Sequence, residues 1–226
     1  FDQLVTFGSS AIGALALAFT TTFWDNAIEA EVYGLSMLFV ALIVWLALRW
    51  WEKAEEPHSE KYLLLIAYLV GLSVGVHLLA VLAVFFVLVI IYFRMFEVNQ
   101  STLFRFSIVS LVIFGVIYPG VVQMLPSMLD GEFWGFKSDI IKFVPPVAII
   151  AAAYCVWYSI QHKKKALHIA CLAFLLIVLG YTTYTAVLIR SNVPNLPMNE
   201  NAPHDLAKLT SYLGREQYGD TPMLKG

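Results

Sequence analysis

Residues 62–93 read YLLLIAYLVGLSVGVHLLAVLAVFFVLVIIYF, 32 residues without one Asp, Glu, Lys or Arg. A helix crossing a hydrocarbon core of about 30 Å needs about 20 apolar residues. The stretch is too long for one ordinary span and somewhat short for two. Gly71, Gly75 and His77 sit near its middle. Read as a break, they divide it into two short helices, about 61–76 and 78–95, that meet at a Gly-x-x-x-Gly-x-His segment. One long tilted helix is the plainer alternative.

Outward from this stretch the pattern repeats. Residues 3–24, 32–48, 106–129, 143–161 and 166–189 also carry no acid, lysine or arginine, and each is long enough for one span with snorkelling ends. That makes about seven helices in an all-α, polytopic transmembrane bundle. The whole chain of 226 residues is 60% hydrophobic and 13% charged, with mean hydropathy +0.76. A soluble domain carries about 25% charged residues, so the composition excludes a soluble globular domain and a disordered chain. A net charge of −2 gives no reason to expect a nucleic-acid partner. Cys155 and Cys171 both lie in apolar stretches, which makes a disulfide framework an unsuitable reading. The composition changes most clearly at Arg190. It divides the chain into a transmembrane part, 1–190, and a polar, proline-rich segment, 191–226, in which Asp205 is placed to cap a short helix over about 206–215.

Charge asymmetry sets the orientation. Arg49, Lys53, Lys61, Arg94, Arg105 and Lys163-Lys164-Lys165 flank one set of ends; Asp25, Glu29, Glu31, Asp130, Glu132 and Asp139 flank the other. The basic ends are expected in the cytoplasm. Phe1 then starts inside and residues 191–226 lie outside. Trp24, Trp50, Trp51, Trp134 and Trp157 fall near helix ends, as in an aromatic belt. Pro119, Pro145 and Pro146 are expected to kink or start helices.

Four segments hold residues with chemical potential. FWDNAIEAEVYGLS (23–36) sets Asp25, Glu29 and Glu31 at an outer mouth, followed by Tyr33, whose ring suits a sugar face. Acids near hydrocarbon are costly and usually paired or functional, although a solvated loop is the plainer reading. GLSVGVHLL (71–79) pairs small residues that permit close helix approach with the single titratable side chain of its stretch, His77. DGEFWGFKSD (130–139) mixes acids and aromatics, a weak signal. The tail from Ile189 onward offers Arg190, a charged fork suited to a lipid phosphate, and Asn192, a polar group suited to a sugar. An ordinary interfacial arginine is an equal reading of Arg190. There is no phosphate-binding loop, nucleophile elbow or His-Glu-x-x-His, and no metal or cofactor is expected.

FWDNAIEAEVYGLSMLF, GLSVGVHLL and the tail RSN-x-P-x-x-x-x-NEN-x-P-x-DL-x-x-L-x-x-YL-x-REQYGD-x-P together resemble a family of polytopic inner-membrane proteins of Bacteroidetes-type bacteria. That family, long known only as a domain of unknown function, is related to the transmembrane protein O-mannosyltransferase of animals. The resemblance runs over essentially the whole chain and is most specific in the tail. It implies a GT-C type glycosyltransferase fold that takes a sugar, mannose for the animal relatives, from a polyprenyl-phosphate donor and passes it to protein Ser/Thr hydroxyls outside the bacterial inner membrane. The family's principal catalytic acid is expected in an outer loop upstream of Phe1, and further chain beyond residue 226. FWDNAIEAEVY matches the family's second acidic motif. Glu29 and Glu31 are the catalytic candidates here; Tyr33, His77, Arg190 and Asn192 are the substrate-binding ones. The implied partners are membrane lipid, the polyprenyl-linked donor, an acceptor protein and other membrane subunits. The main alternative is a non-catalytic integral membrane subunit of a larger complex. A transporter is less well supported, since no paired broken helices are visible.

Overall fold

The computed structural model of the chain describes residues 2–28, 32–216 and 219. Helices dominate. They are α1 (Asp2–Ala18), α2 (Thr21–Ile28), α3 (Tyr33–Lys53), α4 (Glu60–Val74), α5 (Ala83–Met95), α6 (Gln100–Gly115), α7 (Leu125–Asp130), α8 (Val144–Gln161), α9 (Lys165–Tyr181), α10 (Thr185–Ser191) and α11 (Leu206–Gly214). A two-residue hairpin, β1 (Glu132–Phe133) with β2 (Phe136–Lys137), follows α7.

Among the described residues five continuous helical stretches are long and apolar enough to cross a membrane: Tyr33–Lys53, Leu78–Met95, Gln100–Asp130, Asp139–Gln161 and Lys165–Ser191. The pair α1 and α2, bent by 62°, makes a sixth if it is one span. α4, the remaining member of the expected seven, has only 15 residues. At 1.5 Å per residue it falls short of a full crossing. Leu38, Trp45, Phe93, Leu111, Ile150 and Trp157 stand exposed along these stretches. An apolar surface of this kind suits lipid and would not suit water. The chain is a multi-pass helical bundle.

The core lies where α3, α4, α5 and α9 meet. Ile43, Leu46, Ala47 and Trp50 recur at helical spacing along one face of α3 and pack with Ile66, Val70 and Val74 of α4 and Val84, Val87 and Ile90 of α5. Trp50 is 5% exposed, which corrects its reading as a belt residue: it continues the inward stripe of α3. α4 crosses α9 at very short range, as the small residues led one to expect. A Cβ on Gly71 would overlap the backbone of Ile177, and one on Gly180 would lie 2.5 Å from Leu72 N and Tyr68 O. Only hydrogen fits on either side of this crossing.

The proline expectations hold with one refinement. Pro145 and Pro146 open α8, where the missing N–H costs nothing. Pro119 sits inside a π-helical turn, Val116–Met124, that continues α6. The widened turn is a known way to absorb a residue that breaks the regular ladder. The buried Tyr181 hydroxyl donates to Val122 O across 3.0 Å, tying α9 to this irregular segment.

At one end of the bundle the basic residues converge. Arg94 Nη2 meets Glu55 at 2.6 Å and Lys165 Nζ meets Glu60 at 3.0 Å, closing the α3–α4 turn onto α5 and α9. The break at His77, the start of α3 and the tail occupy the opposite end. Asp205 accepts from Lys208 N at 2.7 Å and caps α11 as expected, and Leu209 and Leu213 bury that helix against the bundle.

Candidate functional site

The break at residues 75–77 builds the site. α4 ends on Gly75, and His77 takes an extended conformation (φ −160°, ψ 133°) that stops the helix. Its Nδ1 accepts from Leu79 N at 3.1 Å, so the imidazole caps the short 3-10 helix Leu78–Leu82 that leads into α5. A ring that accepts through Nδ1 carries its neutral-state proton on Nε2, which is left as a donor. Gly75 is needed here because Thr183 approaches: a Cβ would lie 2.9 Å from Thr183 Oγ1. Tyr33, the first residue of α3, covers the imidazole with ring centroids 5.4 Å apart. Irregular backbone at membrane depth is tolerated where it lines a cavity. This break does so.

The cavity is an open cleft of about 200 Å³ lined by Val76, His77, Leu78, Tyr184, Glu200, Tyr212, Leu213 and Arg215. Its polar groups come from three distant parts of the chain: the break, the end of α9 and the tail. The tail reaches it through a set of ties. Ser191 and Asn199 exchange two hydrogen bonds, Ser191 Oγ to Asn199 Oδ1 and Asn199 Nδ2 to Ser191 O, each at 3.0 Å. Asn192 Nδ2 donates to Leu188 O at 2.8 Å and His204 O at 2.9 Å. These bonds fold residues 192–205 back over the bundle and place Glu200 and α11 at the cleft.

Tyr184 is shared. On its other side lies an apolar groove of about 250 Å³, walled by α7, α8, α9, α10 and α11 with Pro145, Ile149, Tyr181, Leu188 and Leu209 among its lining. A second apolar cavity of about 350 Å³ runs from there along the π-helical turn, with Leu125, Pro145 and Ile149 common to both. Polar cleft and apolar space thus adjoin at one tyrosine.

The residues expected from the sequence fall in different places. Tyr33 and His77 come together. Glu29 and Glu31 lie outside the described residues. Asp25 is exposed on α2. Arg190 is exposed at the end of α10 and does not line the cleft. Asn192 is committed to two backbone carbonyls and holds the tail in place. Tyr184 carries no signal in the sequence; Glu200, Tyr212 and Arg215 stand in the tail motif that bears the family resemblance but were not among the candidate site residues. The hairpin after α7 presents Trp134 and Phe136 to the outside, with Lys137 and Glu132 paired at 3.2 Å, an arrangement suited to an interface.

Fold and cleft define a multi-pass helical membrane protein with a polar site at one end of the bundle. Residues 1–100 match the family described as Protein O-mannosyl-transferase TMEM260 N-terminal domain. The relation to the animal protein O-mannosyltransferase read from the sequence is thereby found over this part, α1 to the start of α6, which holds Glu29, Glu31, Tyr33 and His77. Arg190, Asn192, Glu200 and Arg215 lie beyond it. No curated protein and no solved structure matches the chain.

Proposed function

We propose that the chain is the membrane portion of a glycosyltransferase that moves a sugar, mannose by analogy with the matched family, from a polyprenyl-phosphate donor to Ser/Thr hydroxyls of an acceptor protein. The observation that carries this reading is the junction at Tyr184. A donor of this kind has a long apolar chain, a phosphate and a sugar, and needs an apolar groove that opens directly onto a polar cleft. The family match over residues 1–100 supports the reaction class, and the junction at Tyr184 supports this location for it.

On this reading the site lies at the outer face of a bacterial inner membrane, with the basic ends of α3, α5 and α9 in the cytoplasm. The start of the chain is then cytoplasmic and residues 191–226 periplasmic. Transfer requires one base to take the acceptor hydroxyl proton. Glu29 and Glu31, four and two residues before Tyr33 in the chain, are the carboxylates proposed for it. The leaving group is already a phosphate, so it needs charge stabilisation and no acid. Tyr33 and Tyr184 offer ring faces to the sugar, and His77 a hydrogen-bond donor.

The reaction is tested in proteoliposomes holding the full-length protein, a polyprenyl-phosphate-linked mannose and a Ser/Thr-rich peptide. Transfer to the peptide is expected, and Glu29→Gln with Glu31→Gln should lower it at least tenfold. No transfer from a donor shown to be competent with another transferase would overturn the reading and leave a non-catalytic membrane subunit.

A further inference from the structure

The hairpin that joins α7 to α8 has two faces of different chemistry. Its register pairs Phe133 with Phe136 and Glu132 with Lys137. Side chains alternate across a strand, so one face carries the phenylalanines and the other the charged pair. Glu132 and Lys137 line a polar recess together with Asp130 and Asp139. The aromatic side is left open. Phe136 is 74% exposed, and Trp134 at the tip is 76% exposed, its ring stacked on Phe133 at 5.7 Å.

The tip is built at a cost. Trp134 (φ 50°) and Gly135 (φ 84°) both take positive φ, as in a tight hairpin turn whose first position normally goes to Asn or Asp. A bulky side chain is an outlier there. A tryptophan that only marked a helix end would need no such turn. Backbone strain that holds an exposed ring outward points to a use for that ring.

The apolar surface continues beyond the hairpin, which packs against the first turn of the helical stretch Asp139–Gln161. Ile140, Phe143, Val147 and Ile150 follow at spacings of three, four and three residues along one face of that stretch, and all four are exposed. Its 23 residues make about 34 Å of helix, against a hydrocarbon core of about 30 Å. Ile140 and Phe143 therefore fall at the edge of the hydrocarbon, on the same face that α8 turns to lipid. The lysines are held by neighbouring acids, Lys137 by Glu132 at 3.2 Å and Lys142 by Asp139 at 2.7 Å. The surface offered to a membrane is thus ring and aliphatic, with no demand for anionic headgroups.

We propose that the hairpin is a membrane wedge: Trp134, Phe136, Ile140 and Phe143 dip into the leaflet at this end of the bundle, and zwitterionic lipid is a sufficient partner. α7 and α8 wall the apolar cavities, so the wedge fixes the level of those cavities in the leaflet. The wedge stands on the hairpin and α8 alone, whether or not the chain transfers a sugar.

The test uses the full-length protein in phosphatidylcholine nanodiscs, with Cys155→Ala and Cys171→Ala as background. A nitrobenzoxadiazole label is placed in turn at Phe136→Cys, Ile140→Cys and, as a control beside the polar recess, Ser138→Cys. At 136 and 140 the label should lose most of its emission to lipids spin-labelled near the headgroup end of the acyl chain. It should lose less to lipids labelled near the methyl end, because such elements sit only about 5–10 Å deep. Aqueous iodide should quench it weakly there and strongly at 138. Adding phosphatidylglycerol should change none of this. Trp134→Asp, an exposed substitution, should lift the tip, so that lipid quenching at 136 falls and iodide quenching rises. Labels at 136 and 140 that iodide reaches as readily as 138, with no lipid quenching, would overturn the wedge and leave a protein partner as occupant of the patch. Lipid quenching that appears only with phosphatidylglycerol would overturn its apolar basis. An unchanged Trp134→Asp profile would overturn the part assigned to the tip.

Discussion

The two faces of α9 are built on opposite principles. Toward α4 it packs backbone to backbone, through Gly71 and Gly180, with no room for a methyl group. Toward α7 and α8 it leaves a chain of apolar cavities beside a π-helical turn. The tight face fixes the break that carries His77, since α4 leads straight into it. The loose face leaves apolar space of about 250 and 350 Å³. One helix thus provides both the rigid support and the room that the proposed donor site needs.

The contrast can be broken most severely at the crossing. Gly71→Ala would drive a Cβ into the Ile177 backbone, which no rotamer change relieves. The expected loss is about 3 kcal/mol, at the upper end for overpacking, with a matching fall in folded yield. Chemical denaturation in detergent micelles measures it. Unchanged stability would mean that α4 and α9 are farther apart than described.

A smaller effect is expected where the tight face meets the irregular one. Tyr181→Phe removes the donor to Val122 O and leaves a buried carbonyl unpaired. The cost should be about 1–3 kcal/mol. Because the carbonyl belongs to the π-helical turn, hydrogen exchange should also speed up over residues 116–124 while α4 stays protected. Uniform acceleration over the whole bundle would refute a local role. Asp205→Ala comes next. It deletes the cap of α11 at a cost of about 1 kcal/mol in the tail alone. Limited proteolysis near residues 204–216 reads it.

The least costly change lies on the loose face. Gly115 lines the larger apolar cavity, and an added Cβ there meets nothing within 4 Å. Gly115→Ala should be neutral or stabilise by up to about 1 kcal/mol through helix propensity. The same substitution at Gly71 and at Gly115 thus separates the two faces directly.

Much of this was legible in the sequence, for a physical reason. Membrane spans and breaks are written in local composition, so the division of residues 62–93 at His77, the cap at Asp205 and the close approach at Gly71 all followed from short-range pattern. Among the described residues five stretches are long enough to span, or six with the bent pair α1 and α2, because α4 stops at 15 residues. Trp50 was misplaced because position near a helix end was weighed above its spacing from Ile43 and Leu46, which puts it inward. Gly180 as the partner of Gly71 was out of reach, since no local pattern says which helices cross. The cleft was half legible. Tyr33 and His77 lie in motifs on consecutive spans. Glu200, Tyr212 and Arg215 join them only because two asparagines fold the tail back, and Tyr184 because α9 crosses α4 beside the break; both are tertiary events without a local signature.

The central claim is that polar cleft and apolar groove form one donor site joined at Tyr184. Photo-crosslinking tests it most directly, with a polyprenyl-phosphate sugar that carries a diazirine in the first isoprene unit next to the phosphate. Adducts are expected on peptides holding Tyr184 and Leu188, with weaker labelling at Leu125–Leu129, and excess unlabelled donor should compete them away. Adducts confined to the outward surface of α6, around Leu103 and Leu111, or labelling indifferent to competitor, would contradict the account.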